Sequence, residues 1–130
     1  MSRWLRAWGP ALVCAAIIFA ASARHRVLTP DFNHSDKVSH FGAYAVLGAA
    51  LAYGGARRGV APLWLMLMGS LYGASDEVHQ RFVPGRAADP LDWVADSAGA
   101  VAGVLAFNLI HSRRRVRRGT GPGDADSVHP

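Results

Sequence analysis

Cysteine is nearly absent from this sequence of 130 residues, which contains only Cys14. One thiol cannot form an intramolecular disulfide, and it cannot make a zinc site. The sequence also lacks an internal repeat, a glycine-rich phosphate-binding loop, and a serine or cysteine nucleophile set in a recognisable catalytic motif. These absences exclude a disulfide-stapled domain, a cysteine-ligated zinc domain and a P-loop nucleotide-binding protein.

Charged residues are also scarce, and their placement predicts the fold. Only 18% of the residues are charged whereas 51% are hydrophobic, and the hydrophobic residues fall into four blocks separated by short charged stretches. Counted with their polar flanks, the blocks approach the ~20 residues that a helix needs to cross a bilayer. They cover residues 7–23, 36–55, 60–79 and 91–110. We therefore predict an all-α polytopic membrane protein with four transmembrane helices.

The first block has a second interpretation. It follows a short basic start and ends at Ala21-Ser22-Ala23, a small-residue pattern that also resembles the cleavage site of a signal peptide. We favour an uncleaved helix, because the family resemblance described below includes this segment. A mature chain that begins at Arg24 is the alternative.

Basic residues are distributed unevenly between the two ends of the predicted helices. The end with both termini holds nine Lys and Arg residues, five of them at 113–118, against five at the opposite end. Because basic residues accumulate on the cytoplasmic side of membrane proteins, we expect both termini in the cytoplasm. The run at 113–118 then anchors the membrane domain, residues 1–112, rather than binding nucleic acid. It begins a tail at 113–130 whose end we predict to be disordered.

This topology collects polar side chains at the outer membrane–water boundary. Residues 75–103 contain five of the nine acidic residues. Ionisable groups next to apolar segments are costly and need partners or a function. We call these side chains the outer polar cluster, and its candidate ligand-binding members are Lys37, His40, Tyr44, Asp76, Glu77, Gln80, Arg86, Asp92 and Asp96.

Two carboxylates of this cluster need a partner. Asp92 and Asp96 are one helical turn apart on the same face. Like charges at this spacing repel each other, so they require a cation, an arginine or a shared proton. With Asp76 or Glu77 from a neighbouring helix, they form a candidate site for a hard divalent cation.

Other members of the cluster are donors or proton carriers. Lys37, His40 and Tyr44 share one face of the second helix. Lys37 and Arg86 can donate to a phosphate or carboxylate. His40, or alternatively His79, is a candidate general acid or base near neutral pH. Carboxylates and basic groups together at the outer surface fit a lipid headgroup or a lipid-linked pyrophosphate.

A purely structural role is the alternative. On this interpretation the charged residues only tie helix ends together, and the glycines of the fourth helix allow close helix approach. The expected structural pairs are Glu77–Arg81, Asp76–Gln80 and the Gly-x-x-x-Gly step at Gly99 and Gly103.

Several segments, taken together, resemble a known protein family. They are Asp36-Lys37-x-x-His40-Phe41-x-x-Tyr44, Ser75-Asp76-Glu77-x-x-Gln80-x-Phe82-x-Pro84-Gly85-Arg86, Asp89, Asp92 and Gly99-x-x-x-Gly103. Over roughly residues 7–110, the chain resembles the VanZ-like family of small bacterial membrane proteins. The resemblance implies a four-helix membrane domain and a cell-envelope role at the outer face of the cytoplasmic membrane. The family takes its name from a protein associated with reduced susceptibility to teicoplanin. Many members carry Asn where this chain has Asp96.

Three functions fit these observations. The first is a non-enzymatic envelope protein that binds a lipid headgroup or a lipid-linked cell-wall precursor. The second is an integral-membrane enzyme that acts on a lipid phosphate, and the third is a structural or assembly module without a ligand. The lack of a recognisable nucleophile favours the first. We therefore expect membrane lipid as the partner, no nucleic acid, and a divalent cation as the one candidate cofactor.

Overall fold

The protein is described by a computed structural model over residues 2–24, 35–86 and 88–119. These residues form four helices: α1 (Arg3–Ser22), α2 (Ser35–Arg58), α3 (Pro62–Gln80) and α4 (Pro90–Gly119). The prediction of an all-α fold with four helices is confirmed. The predicted disordered end of the tail lies outside the described residues.

Local sequence explains where the later helices begin. Pro62 and Pro90 occupy the first position of α3 and α4, where the missing N–H of proline has no helical partner to lose. Before α4, a carboxylate oxygen of Asp89 accepts a hydrogen bond from Leu91 N–H at 2.9 Å, which caps the helix. Between α2 and α3 the chain turns through Gly59, whose φ of +69° favours glycine.

The last helix is longer than expected. We predicted its end near residue 110, but α4 continues through the basic run to Gly119. Arginine is a good helix former, and no glycine or proline interrupts residues 104–118. Positive charge near the carboxyl end of a helix is also favourable. The basic residues therefore extend a helix instead of starting an irregular segment.

Helices α2 and α4 run parallel and form the centre of the bundle, with α1 packed mainly on α2 and α3 mainly on α4. Glycine allows this central contact. A Cβ atom added at Gly99 or Gly103 would lie under 3.0 Å from the backbone of Phe41 or Ala45, and one added at Gly48 would meet α4 in the same way. The predicted Gly-x-x-x-Gly step is confirmed as a helix-packing face.

Apolar side chains cover the outside of the bundle as well as its core. Tyr44, Leu65 and Val104 are buried between the helices, whereas Ile17 and Leu63 are more than 60% exposed. Among the described residues, two helices are long and apolar enough to cross a membrane: α1, with 20 residues, and 27 residues of α4. By the same measure α2 and α3 fall short. The outer surface thus suits a lipid environment.

Candidate functional site

The polar side chains of the bundle gather where α1 and α3 end and α2 and α4 begin. All nine predicted members of the outer polar cluster belong to described residues. Each lies next to another member through a contact, through close spacing or through a shared cavity. The structure therefore brings together what the sequence placed at one membrane boundary. Their role as ligand-binding residues remains a prediction.

Lys37 links the start of α2 to the start of α4. Its ammonium group donates to Asp89 at 2.6 Å and to Asp92 at 2.8 Å. Asp89 lies in the connection before α4, outside the helices. The hydrogen bond from Lys37, followed by the one from Leu91 N–H, holds the pKa of the Asp89 carboxyl below its usual value. Asp89 is therefore ionised at neutral pH.

His40 makes the next contact inward along α2. Its Nδ1 atom lies 2.9 Å from one carboxylate oxygen of Asp96, and its Nε2 atom lies 3.9 Å from Asp92. Asp96 is completely buried, and its second oxygen, Oδ2, has no hydrogen-bond partner among the described residues. We expected Asp92 and Asp96 to repel each other, but each has its own basic partner: Lys37 for Asp92 and His40 for Asp96.

Asp76 ties α3 to α1. It is 4% exposed, and it accepts hydrogen bonds from Ser22 Oγ at 2.8 Å and from Gln80 Nε2 at 3.2 Å. The Gln80 contact is the predicted pair on one helix. Sequence reasoning missed Ser22, which it had assigned only to a small-residue pattern. The signal that could have found it is that α1 ends, like α3, at the boundary where the acidic residues collect.

Glu77 also faces inward. It is 8% exposed, and its Oε2 atom accepts a hydrogen bond from Asp89 N–H at 2.9 Å, while Oε1 has no hydrogen-bond partner in the described ranges. The predicted Glu77–Arg81 ion pair is wrong. Helix α3 ends at Gln80, so Arg81 lies in the turn that follows, where it is exposed.

A cavity of about 230 Å³ opens between α1 and α2 at this end of the bundle. Two of its lining residues carry a buried donor without a hydrogen-bond partner in the described part of the chain: Tyr44 through its hydroxyl and Arg86 through Nε. The remaining lining residues are Ile17, Ile18, Ala21, Ser22, Asp36, Ser39, His40, Ala43 and Asp76. The cavity is therefore lined by apolar side chains and by two residues that each carry an unpaired, buried donor.

Two groups of three side chains are close enough to share a metal ion. In each group, one ligand atom per residue lies within 4.8 Å of the others. The groups are Asp36, His40 and Asp92, and His40, Glu77 and Asp96. His79, the alternative acid or base, belongs to neither group, and its ring lies 4.6 Å from that of Phe19 on α1.

Comparison with known protein families decides where the chain belongs. The VanZ/LLP1 profile matches residues 6–111, which include all nine members of the outer polar cluster. The chain belongs to the VanZ/LLP1 family. The resemblance inferred from short segments is thereby confirmed. No curated protein and no solved structure matches this VanZ/LLP1 chain. Family membership and two helices of span length together indicate a membrane protein.

Proposed function

We propose that this VanZ/LLP1 protein crosses the bacterial cytoplasmic membrane four times and binds a phosphate headgroup at its outer face. Both termini are cytoplasmic in this proposal. The phosphate belongs to a membrane lipid or to a lipid-linked cell-wall precursor. The cavity between α1 and α2 is the binding site.

The outer faces of α2 and α3 support four crossings. Val46 on α2 is 60% exposed, and Leu63, Trp64 and Leu71 on α3 are each more than 60% exposed. Large apolar side chains this exposed are unusual in number for a soluble monomer. These helices carry their polar residues mainly at their ends and toward the bundle. Lipid around all four helices accounts for both features.

Contacts of α1 support a first helix that stays attached. Ser22 donates to Asp76, and the hydroxyl of Tyr72 on α3 donates to the carbonyl of Ala15 at 2.7 Å. Cleavage near residue 23 would remove the partners of both groups. It would also expose the cavity, because α1 forms one of its walls.

The observation that carries the proposal is that two residues lining the cavity, Tyr44 and Arg86, each have an unpaired donor. Tyr44 is 1% exposed, so water reaches its hydroxyl poorly. A buried donor without a partner costs about 1–3 kcal/mol, which a ligand acceptor recovers. Arginine and hydroxyl groups are common partners of phosphate oxygens. An anionic headgroup therefore fits Tyr44 and Arg86.

The apolar wall favours a phosphate carried by a lipid. Ile17, Ile18 and Ala43 line the same cavity as Arg86. A free phosphate ion would gain nothing from these side chains, whereas the first carbons of an acyl or prenyl chain would bury apolar surface against them. The chain of the lipid can then leave the cavity between α1 and α2.

Lipid retention tests this proposal. Protein purified in a mild detergent is analysed by native mass spectrometry after incubation with undecaprenyl phosphate, phosphatidic acid or a zwitterionic phospholipid. We expect the wild type to retain a phosphate-terminated lipid, and Arg86→Gln and Tyr44→Phe each to lose at least about tenfold of that retention. Arg81→Gln is the matched control, because Arg81 lies in the same connection but is exposed.

Each other outcome points elsewhere. Equal retention by Arg86→Gln and the wild type contradicts the binding site and leaves a structural module. Conversion of the added lipid phosphate to a new product identifies an enzyme. Preference between the two phosphate lipids distinguishes a cell-wall precursor carrier from a general membrane lipid. Growth in teicoplanin, with and without the Arg86→Gln change, tests the link to glycopeptide susceptibility.

A further inference from the structure

We propose that His40, Glu77 and Asp96 bind a divalent transition-metal ion, with Zn²⁺ as the reference ion, beside the cavity between α1 and α2. The inference deepens the proposed function by adding a cation to the same cluster, but its evidence is separate. It rests on buried oxygen atoms that the protein itself leaves without partners.

In each of the carboxylates of Asp96 and Glu77, one oxygen makes a contact within the protein and the other has no partner among the described residues. Asp96 is completely buried; its Oδ1 contacts His40, and its Oδ2 has no partner. Glu77 is 8% exposed; its Oε2 accepts from Asp89 N–H, and its Oε1 has no partner. The held oxygen fixes the orientation of each carboxylate. A buried, oriented and unpaired carboxylate oxygen is what a metal ion requires of its ligand.

The spacing of the three side chains fits one ion. One ligand atom from each of His40, Glu77 and Asp96 lies within 4.8 Å of the others. Zn²⁺ bonds to nitrogen and oxygen are about 2.0–2.2 Å, which places adjacent ligand atoms roughly 3–3.5 Å apart. Small rotations of side chains are therefore enough to close the group around an ion.

Charge also favours a cation at this position. Asp76, Glu77, Asp92 and Asp96 are all buried. Among the described groups facing them, the permanent cations are Lys37, which contacts Asp92, and Arg86, which lines the cavity with Asp76. Among the residues that the structure describes, His40 is the basic group in contact with Asp96. A divalent ion would neutralise the excess negative charge beside the membrane.

The second group of three, Asp36, His40 and Asp92, is the weaker candidate. The Lys37 ammonium lies 2.8 Å from Asp92 Oδ1 and already supplies that carboxylate with a positive charge. A metal ion there would approach the ammonium closely and be repelled by it. Asp36 is also less buried than Glu77 and Asp96.

The ligand types select the class of metal. Imidazole nitrogen suits Zn²⁺ and its neighbours in the first transition row, whereas Mg²⁺ and Ca²⁺ favour oxygen-only sites. Three protein ligands leave at least one coordination position open on Zn²⁺. His40 also lines the cavity, so the phosphate oxygen of a bound lipid is a suitable fourth ligand.

Metal binding to purified protein tests the inference. Protein in nanodiscs of zwitterionic lipid is stripped with a chelator and titrated with ZnCl₂, and bound metal is measured by mass spectrometry of the element. We expect one Zn²⁺ per chain. Affinity should fall at least about tenfold in Glu77→Gln and in Asp96→Asn, which keep the shape of each side chain. Asp36→Asn should bind as the wild type does.

Cobalt substitution gives a readout that does not depend on variants. Co²⁺ in the stripped wild type should give visible absorption bands typical of four- or five-coordinate cobalt with a nitrogen ligand. Substoichiometric Zn²⁺ in folded wild-type protein overturns the inference. So does loss of binding in Asp36→Asn with retention in Asp96→Asn, which would place the ion in the other group. Binding of Mg²⁺ with equal affinity overturns the assigned class.

Lipid retention by the stripped protein separates this inference from the proposed function. If Zn²⁺ does not bind but Arg86→Gln still loses its phosphate lipid, the metal site is wrong and the proposed function stands. If Zn²⁺ binds as expected and no phosphate lipid is retained with or without metal, the proposed function is wrong and the metal site stands.

Discussion

His40 of α2 lies 2.9 Å from Asp96 of α4, and this contact joins the two helices at the centre of the bundle. One turn outward, Lys37 meets Asp92 in the same way. Both contacts depend on how closely α2 and α4 approach, which the glycines farther along the two helices allow. The geometry of the outer polar cluster therefore depends on how the apolar helices pack.

The central helix contact predicts a large effect of a single methyl group. In Gly103→Ala, the new Cβ overlaps the backbone of Ala45, and we expect a loss of about 1–3 kcal/mol of stability. Gly42→Ala is the matched control on α2, because a Cβ there meets nothing within 4 Å. Thermal unfolding in detergent measures both. A Gly103→Ala protein as stable as the wild type would contradict the packing of these helices.

The contact between α1 and α3 predicts the effect of one hydroxyl. Ser22→Ala removes a hydrogen bond to the buried Asp76 carboxylate and should cost about 1–3 kcal/mol. Ser75→Ala is the control, since Ser75 is exposed and donates only to the carbonyl of Tyr72 on its own helix. Thermal unfolding distinguishes the two variants. Equal melting temperatures would show that α1 is not held through Ser22.

The Tyr44→Phe variant distinguishes a role of the hydroxyl in ligand binding from a role in stability. Its hydroxyl is buried without a hydrogen-bond partner, so Tyr44→Phe should leave stability unchanged within about 0.5 kcal/mol or raise it. The same change should reduce retention of a phosphate lipid. A marked loss of stability in Tyr44→Phe would instead indicate that the hydroxyl serves the packing of the bundle. Melting temperature and lipid retention are measured on the same preparation.

The Lys37–Asp89 contact predicts a pH dependence with a definite sign. The pKa of Asp89 is lower in the folded protein than in the unfolded chain. Its stabilising effect is complete above the ordinary aspartate pKa of about 4, and it is lost as the pH falls through the lowered folded value. The melting-temperature difference between the wild type and Asp89→Asn should be constant from about pH 8 to pH 5 and shrink below about pH 4. A difference that grows on acidification would contradict the contact.

Thiol labelling tests the number and direction of the crossings. In a Cys14→Ala background, Phe82→Cys should react with a membrane-impermeant reagent in intact spheroplasts, because the proposed topology places residue 82 at the outer end. Ala61→Cys and Ser112→Cys should react only after permeabilisation. All three positions are exposed in the structure. Labelling of position 61 from outside would overturn the topology.

Local patterns account for most of the fold that was predicted. Helix existence depends on hydropathy and on hydrogen bonds between residues four apart, so the apolar blocks predicted four helices, and helix spacing placed Asp92, Asp96, Gly99 and Gly103 on one face. The sequence predicted the ends of the helices less well than their existence. The charge of residues 113–118 led to the prediction that they lie outside the fourth helix. No residue in this run ends a helix, and α4 includes it.

Pairing across helices was beyond the reach of the sequence. Glu77 was assigned to Arg81 by spacing along one helix, yet it turns inward to the backbone of Asp89. Ser22 and Asp76 are 54 residues apart in the sequence, and no local pattern joins them. Such pairs depend on the rotation of each helix about its axis and on the approach of α2 to α4. Those quantities follow from contacts between distant residues.

By itself, then, the sequence determined the helices, their apolar character and the collection of charges at one end, because each depends on residues that are neighbours in the chain. Only the tertiary structure decided which charges are paired and which oxygens of Glu77 and Asp96 are left free. A side chain finds its partner only after the helices have packed, and the packing is set by the whole bundle.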